Sequence, residues 1–230
     1  MSQDIYTILS LEDKGVSEAR NIPAKLLRLV CLDKGITRQK WDKRLDGYLK
    51  SPRSGINNDK STISYTKSNL NRALGKGNIT WEKLKKGVSI LHRNKIEFKL
   101  DLVWCDSLIH EVPPPTSIVK EMSGRGDDLC WFFRHCFSAL KLTPLGWNTL
   151  VERWLADPAN NIHLNKPERS WERGNIRKHV LDSNNFTWDT FIKAMSIIGV
   201  KSGSISVLLH SGENHTVHTC YFKVKKDAKL

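Results

Sequence analysis

Near the C-terminus, His210, His215, His218 and Cys220 form the densest collection of metal-ligating residue types in the sequence. Imidazole and thiolate are good zinc ligands, and the two-residue repeat of a strand places His218 and Cys220 on one face. The cluster stands alone, with no matching second pair, so no metal and no cofactor are expected. Cys130, His135 and Cys136 fall on one predicted helix and are explained by a buried amphipathic face, where a free cysteine behaves as a small apolar group. Asp127, Asp128 and Glu152 read as helix-start and surface charges, since acidic groups stabilise the positive end of a helix. P-loop, GxGxxG, HExxH, GxSxG and CxxC patterns do not occur in the sequence. The chain therefore reads as a binding protein rather than an enzyme.

Charge narrows what it would bind. Lys and Arg number 37 against 24 Asp and Glu, a formal net charge of +13 with a pI near 9.6. Such a surplus suits a polyanion, because each basic group placed near a phosphate releases condensed counterions. Hydrophobic residues at 39% are enough for packed cores. No apolar run reaches the roughly 18 residues of a membrane span. The polar start Met-Ser-Gln-Asp lacks the apolar core of a signal peptide, and five cysteines, an odd number, suit reduced thiols, so a cytoplasmic setting is expected.

The elements that would carry these residues occur twice. With Thr37 laid on Thr143, Trp41 meets Trp147, Tyr48 meets Trp154, Leu49 meets Leu155, Pro52 meets Pro158, Asn69 meets Asn175 and Leu70 meets Ile176. One inserted residue later, Thr80-Trp81 meets Thr187-Trp188, Leu84 meets Phe191 and Ile90 meets Ile197. Tryptophans, a proline and an asparagine recurring in order point to internal duplication. Predicted domains are 1–112, a Pro/Gly/Ser linker over 113–124, in which three prolines cannot continue a helix, and 125–230. In the first copy, helices are predicted from Ala24 to Leu32, from a Thr37 cap to Leu49, from Ser64 to Leu74 and from a Thr80 cap to Leu91, followed by a strand from Lys95 to Trp104. In the second, helices are predicted from Asp127 to Leu140, from a Thr143 cap to Asp157, from Ser170 to Leu181 and from a Thr187 cap to Ile198, followed by a hairpin turning at Ser211–Asn214. The fold class is α+β, mainly helical, and the matched tryptophans read as core.

The pattern Leu27-Arg-Leu-Val-Cys-Leu-Asp-Lys-Gly-Ile-Thr-Arg-Gln-Lys-Trp, followed by Ser68-Asn-Leu-Asn-Arg-Ala-Leu-Gly-Lys-Gly-Asn-Ile-Thr-Trp, resembles the Cro/C1-type helix-turn-helix of phage repressors and some antitoxins. Gly174-Asn-Ile-Arg-Lys-His-Val-Leu and Asn185-Phe-Thr-Trp continue the likeness in the second copy. The sequence departs from that family in the long stretches Lys50–Ile63 and Ala156–Arg169, and in Lys141 where the first copy has Gly35. Its overall character is similar to small accessory proteins of tailed bacteriophages, which would place it in a host cytoplasm.

The resemblance implies two tandem helix-turn-helix-like repeats that bind double-stranded DNA, each presenting its third helix to the major groove. Ser64, Lys67, Ser68, Asn69 and Arg72 would reach base edges from the first copy, and Ser170, Arg173, Asn175, Arg177 and Lys178 from the second, with Asn reading adenine and Arg guanine. Lys60, Lys76, Lys166 and Arg169 would contact phosphates, which position without specifying. The two copies would form a covalent pseudo-dimer acting as a regulator or DNA-coating factor. A protein that grips and inhibits a host protein and an RNA-binding protein are the alternatives. The hairpin edge also offers a route to a homodimer.

Overall fold

The computed structural model describes residues 22–51, 68, 79–105, 112–122, 128–157, 166–182 and 186–224. Among them are seven α-helices and one four-stranded antiparallel sheet, an α+β fold in which helix predominates.

The chain divides into two compact units. One comprises Met1–Ile96 with Val207–His218, and holds α1 (Ile22–Asp33), α2 (Arg38–Leu49) and α3 (Trp81–Leu91). The other comprises Glu97–Ser206 with Thr219–Leu230, and holds β2 (Ser117–Glu121), α4 (Asp128–Ala139), α5 (Pro144–Ala156), α6 (Lys166–Arg177) and α7 (Trp188–Ile197). Strands β1 (Ile96–Trp104), β3 (Val200–Ser211) and β4 (Asn214–Lys223) complete the sheet, in the order β2-β1-β3-β4.

In the first unit α3 packs against α1 and α2. Its buried face carries Trp81, Leu84, Val88 and Leu91, the helical repeat that its sequence shows. Trp41, Leu45 and Leu49 of α2 and Leu26, Leu27 and Val30 of α1 are fully enclosed. Gly87 lets α1 and α3 approach closely, since a Cβ there would lie 2.7 Å from a Leu27 methyl, which would have to shift.

In the second unit α7 packs on α4 and α5, and α6 packs on α5. Phe133 meets Trp147 edge-on at 5.6 Å and Phe186 at 5.7 Å, while Trp188 packs on Phe222 of β4 at 5.5 Å. Asp128, fully buried at the start of α4, is held by the Lys120 ammonium from β2. A buried carboxylate is tolerated only with such a partner.

The two stretches correspond in local geometry. Thr37, Thr143, Thr80 and Thr187 all sit in extended backbone with ψ of 164°, 164°, 162° and 162°, and each hydroxyl accepts from the amide three residues on. The α1–α2 turn closes with Lys34 N–H to Val30 O, Gly35 N–H to Leu32 O and Ile36 N–H to Cys31 O. The α4–α5 turn makes the same three bonds, from Leu140 to Cys136, Lys141 to Ser138 and Leu142 to Phe137. Gly35 and Lys141 share the left-handed region at φ of 53° and 52°. The change from glycine to lysine thus leaves the turn's backbone unaltered. Buried positions match as well: Leu27 with Phe133, Trp41 with Trp147, Leu45 with Val151, Ile79 with Phe186 and Trp81 with Trp188.

Two elements differ from the sequence expectation. α6 begins at Lys166, not Ser170, because Pro167 falls in the first turn, where its missing N–H would have had no intrahelical partner. The stretch read as a spacer contains β2, whose Ile118 points inward opposite Leu100 and whose register runs from Glu97↔Glu121 to Asp101↔Ser117. An Ile-Val pair flanked by polar residues satisfies the alternation of an edge strand, which the prolines before it obscured.

Candidate nucleic-acid interface

α6 carries the basic residues expected to meet DNA from the second copy. It continues into a wider, five-residue π-helical turn, Lys178–Asp182, that packs on α7. Such turns re-aim side chains out of α-helical register and recur at functional sites. Ile176 and Val180 face inward and are buried. Glu172 accepts from Lys193 of α7 at 2.6 Å, and Arg173 pairs with Glu152 of α5 at 2.8 Å. Lys193 also lies over the Trp154 ring at 5.4 Å, and Trp154 Nε1 donates to Ser196 Oγ at 2.8 Å. These contacts fix the orientation of α6 and leave Gly174, Arg177, Lys178 and His179 on its outer side, all exposed. Among the described residues nothing lies within 4 Å of a Cβ built at Gly174, which leaves that side of the backbone open to approach.

Of the sequence candidates in this copy, Arg177 and Lys178 are together and exposed. Arg173 is half-buried in its pair with Glu152, which favours a positioning role, and Asn175 is half-buried. Lys166, Arg169 and Ser170 lie in the first turns of α6. In the first copy, Ser68 is helical and exposed, whereas Lys60, Ser64, Lys67, Asn69, Arg72 and Lys76 fall outside the described residues.

The histidine and cysteine cluster is dispersed. Among the described residues no three His, Cys, Asp or Glu side chains are placed to hold a metal ion. The His210 and His215 rings lie 5.5 Å apart. His218 and Cys220 point into the protein, and His218 Nε2 stands 3.6 Å from Asp33 Oδ2. Burial lowers the His218 pKa from its ordinary 6.5, with Lys34 acting in the same sense and Asp33 against it. Burial likewise lowers that of His92, whose Nε2 hydrogen-bonds the His210 carbonyl at 2.8 Å and partly offsets the effect. Cys31 and Cys136 are buried with thiol pKa values pushed up to about 12, so they are not reactive nucleophiles at neutral pH.

A second basic surface lies on α2, and sequence reading passed over it. Lys40, Lys43, Arg44 and Arg93 border a groove with Gly47, Tyr48, Ser51 and Ser89, enclosing about 680 Å³. The signal was available, for once Trp41, Leu45 and Leu49 are assigned inward, positions 40, 43 and 47 must face outward. At the matched positions α5 has Gly146, Thr149, Leu150 and Arg153.

Neither a family model, nor a curated protein, nor a solved structure matches this chain.

Proposed function

We propose that the protein is a non-enzymatic double-stranded-DNA-binding protein, built from two divergent copies of one helix-turn-helix-like unit and acting as a covalent pseudo-dimer in the manner of a phage regulator or DNA-coating factor. The observation that carries the reading is α6. Its inner face is locked by Ile176, Glu172 and Arg173, while Arg177 and Lys178 stand side by side on the outside. A helix fixed this way can enter a groove without first being ordered, and the net charge of +13 favours a polyanion. The matched threonine caps and matched turns of the two stretches support a duplicated unit.

Arginine reads guanine through two parallel hydrogen bonds, each good pair worth about 1–3 kcal/mol of discrimination. Arg177→Ala is expected to weaken binding to a selected duplex about 5- to 150-fold and to relax its sequence preference, measured by fluorescence anisotropy. Unchanged affinity and preference would remove α6 from the interface. A protein-binding role has one specific observation in its favour, the exposed Trp131 ring stacked on His135 at 5.2 Å, near the start of a helix with no acidic outer face. Binding that survives nuclease treatment would select it.

A further inference from the structure

We infer that the groove between α2 and the end of α3 is a phosphodiester-backbone site, so that this unit grips duplex DNA through its second helix while α6 serves the other unit. The inference rests on the duplex-binding reading above.

Among the described residues four basic side chains, Lys40, Lys43, Arg44 and Arg93, border one groove beside the hydroxyls of Tyr48 and Ser89, while Ser51 Oγ donates to the Tyr48 carbonyl at 2.7 Å and Ile90 and Leu91 form an apolar wall. Among the described residues no carboxylate lines it. Hydroxyls and cations without acids are what a phosphate oxygen requires, since it accepts hydrogen bonds and repels anions. Arg44 is pre-set for this. Its Nη1 donates to the Leu91 carbonyl at 2.8 Å, at the negative end of α3, which fixes the guanidinium in a helix C-terminal field. That bond uses one of five N–H donors, and a guanidinium fork held in place loses little entropy on meeting phosphate. Lys40 Nζ rests on the Gly35 carbonyl at 3.1 Å, an exposed contact that a phosphate can replace.

The internal comparison makes the case sharper. On α5 the positions matching Lys40, Lys43 and Arg44 are Gly146, Thr149 and Leu150, and Glu152 and Trp154 are engaged through Arg173, Lys193 and Ser196. The matching helices therefore carry different side-chain chemistry on corresponding faces. α5 holds its neighbouring helix through side-chain pairs, whereas α2 places Lys40, Lys43 and Arg44 around a groove of about 680 Å³.

The test is a salt titration of full-length protein on two unrelated duplexes, comparing the wild type, Lys40→Ala/Lys43→Ala and Arg177→Ala/Lys178→Ala, with thermal unfolding of each. Lys40 and Lys43 are exposed, so the fold should survive their replacement. Each lost phosphate contact lowers the slope of log K against log salt by about 1. The Lys40→Ala/Lys43→Ala variant should lose about two from the slope and weaken equally on both duplexes, with unchanged Tm. An unchanged slope in this variant, alongside a reduced one in Arg177→Ala/Lys178→Ala, would overturn the groove and leave the duplex-binding reading standing. A lowered Tm with an unchanged slope would assign the groove to the chain's own packing and equally overturn it. A wild-type protein that binds neither duplex would remove both.

Discussion

At the residue scale, the turn between the first two helices of each stretch shows how little of a local backbone depends on the residue that first draws attention. Gly35 reads as a turn glycine. Lys141, its counterpart, reads as a departure from the pattern, yet it holds the same left-handed conformation and the same three hydrogen bonds. The backbone there is dictated by the helix end, whose last carbonyls must find donors, and lysine tolerates it at a cost of about 1 kcal/mol. Lys141→Gly should therefore raise stability by about 1 kcal/mol in urea unfolding, and Gly35→Ala should lower it by a similar amount. Equal stability of all three proteins would contradict the left-handed assignment. The buried Lys120–Asp128 pair was not legible, for Asp128 reads as a helix-start charge and only the strand bearing Lys120 shows that it is enclosed.

At the scale of elements, the threonine caps and the spacing of tryptophans were enough to place most helices. Thr80 followed by Trp81, Leu84, Val88 and Leu91 gives the third described helix from cap to end, because one hydroxyl and one apolar stripe decide both its start and its inward face. β2 was hidden because five residues after three prolines carry too little alternation to separate a strand from a spacer. The start of α6 was hidden because Pro167 reads as a break until its place in a first turn is known. The outward cations of α2 needed only the helix period, but attention fell on the third helices instead. Two buried histidines, one at the end of α3 and one on β4, belong to the same scale. His92 and His218 have pKa values lowered by burial, so both are neutral near pH 7, and protonation favours the unfolded chain. Their contribution is fully present above the unfolded value near 6.5 and is lost as pH falls through the lower folded values. Tm should hold constant from pH 8 to 7 and fall between pH 6.5 and 5.5, with a shallower fall in His218→Gln. A Tm that rises on acidification through this window would show that protonated histidine is favoured in the folded state.

At the scale of the whole molecule, a chain of 230 residues carries a charge of +13, and its described cations include two groups: Arg177 at the end of α6 with Lys178 in the π-helical turn that follows, and Lys40, Lys43, Arg44 and Arg93 around the α2 groove. The charge raises the expectation of a polyanionic partner, but the choice among duplex DNA, single strands and RNA depends on groove shape and base exposure, which charge does not encode. Under the proposed duplex-binding reading, two contacts on one chain make the second intramolecular, which raises avidity without new contacts where both engage at once.

The most direct measurement of duplex binding is a salt titration of the full-length protein against random duplex, single-stranded DNA and RNA of equal length. Binding to duplex should be tightest, with log K falling linearly against log salt at a slope steeper than about −4, since at least five phosphates would be neutralised at roughly 0.9 each. A flat salt dependence, or tighter binding to single strands or RNA, would contradict a helix-in-groove duplex binder.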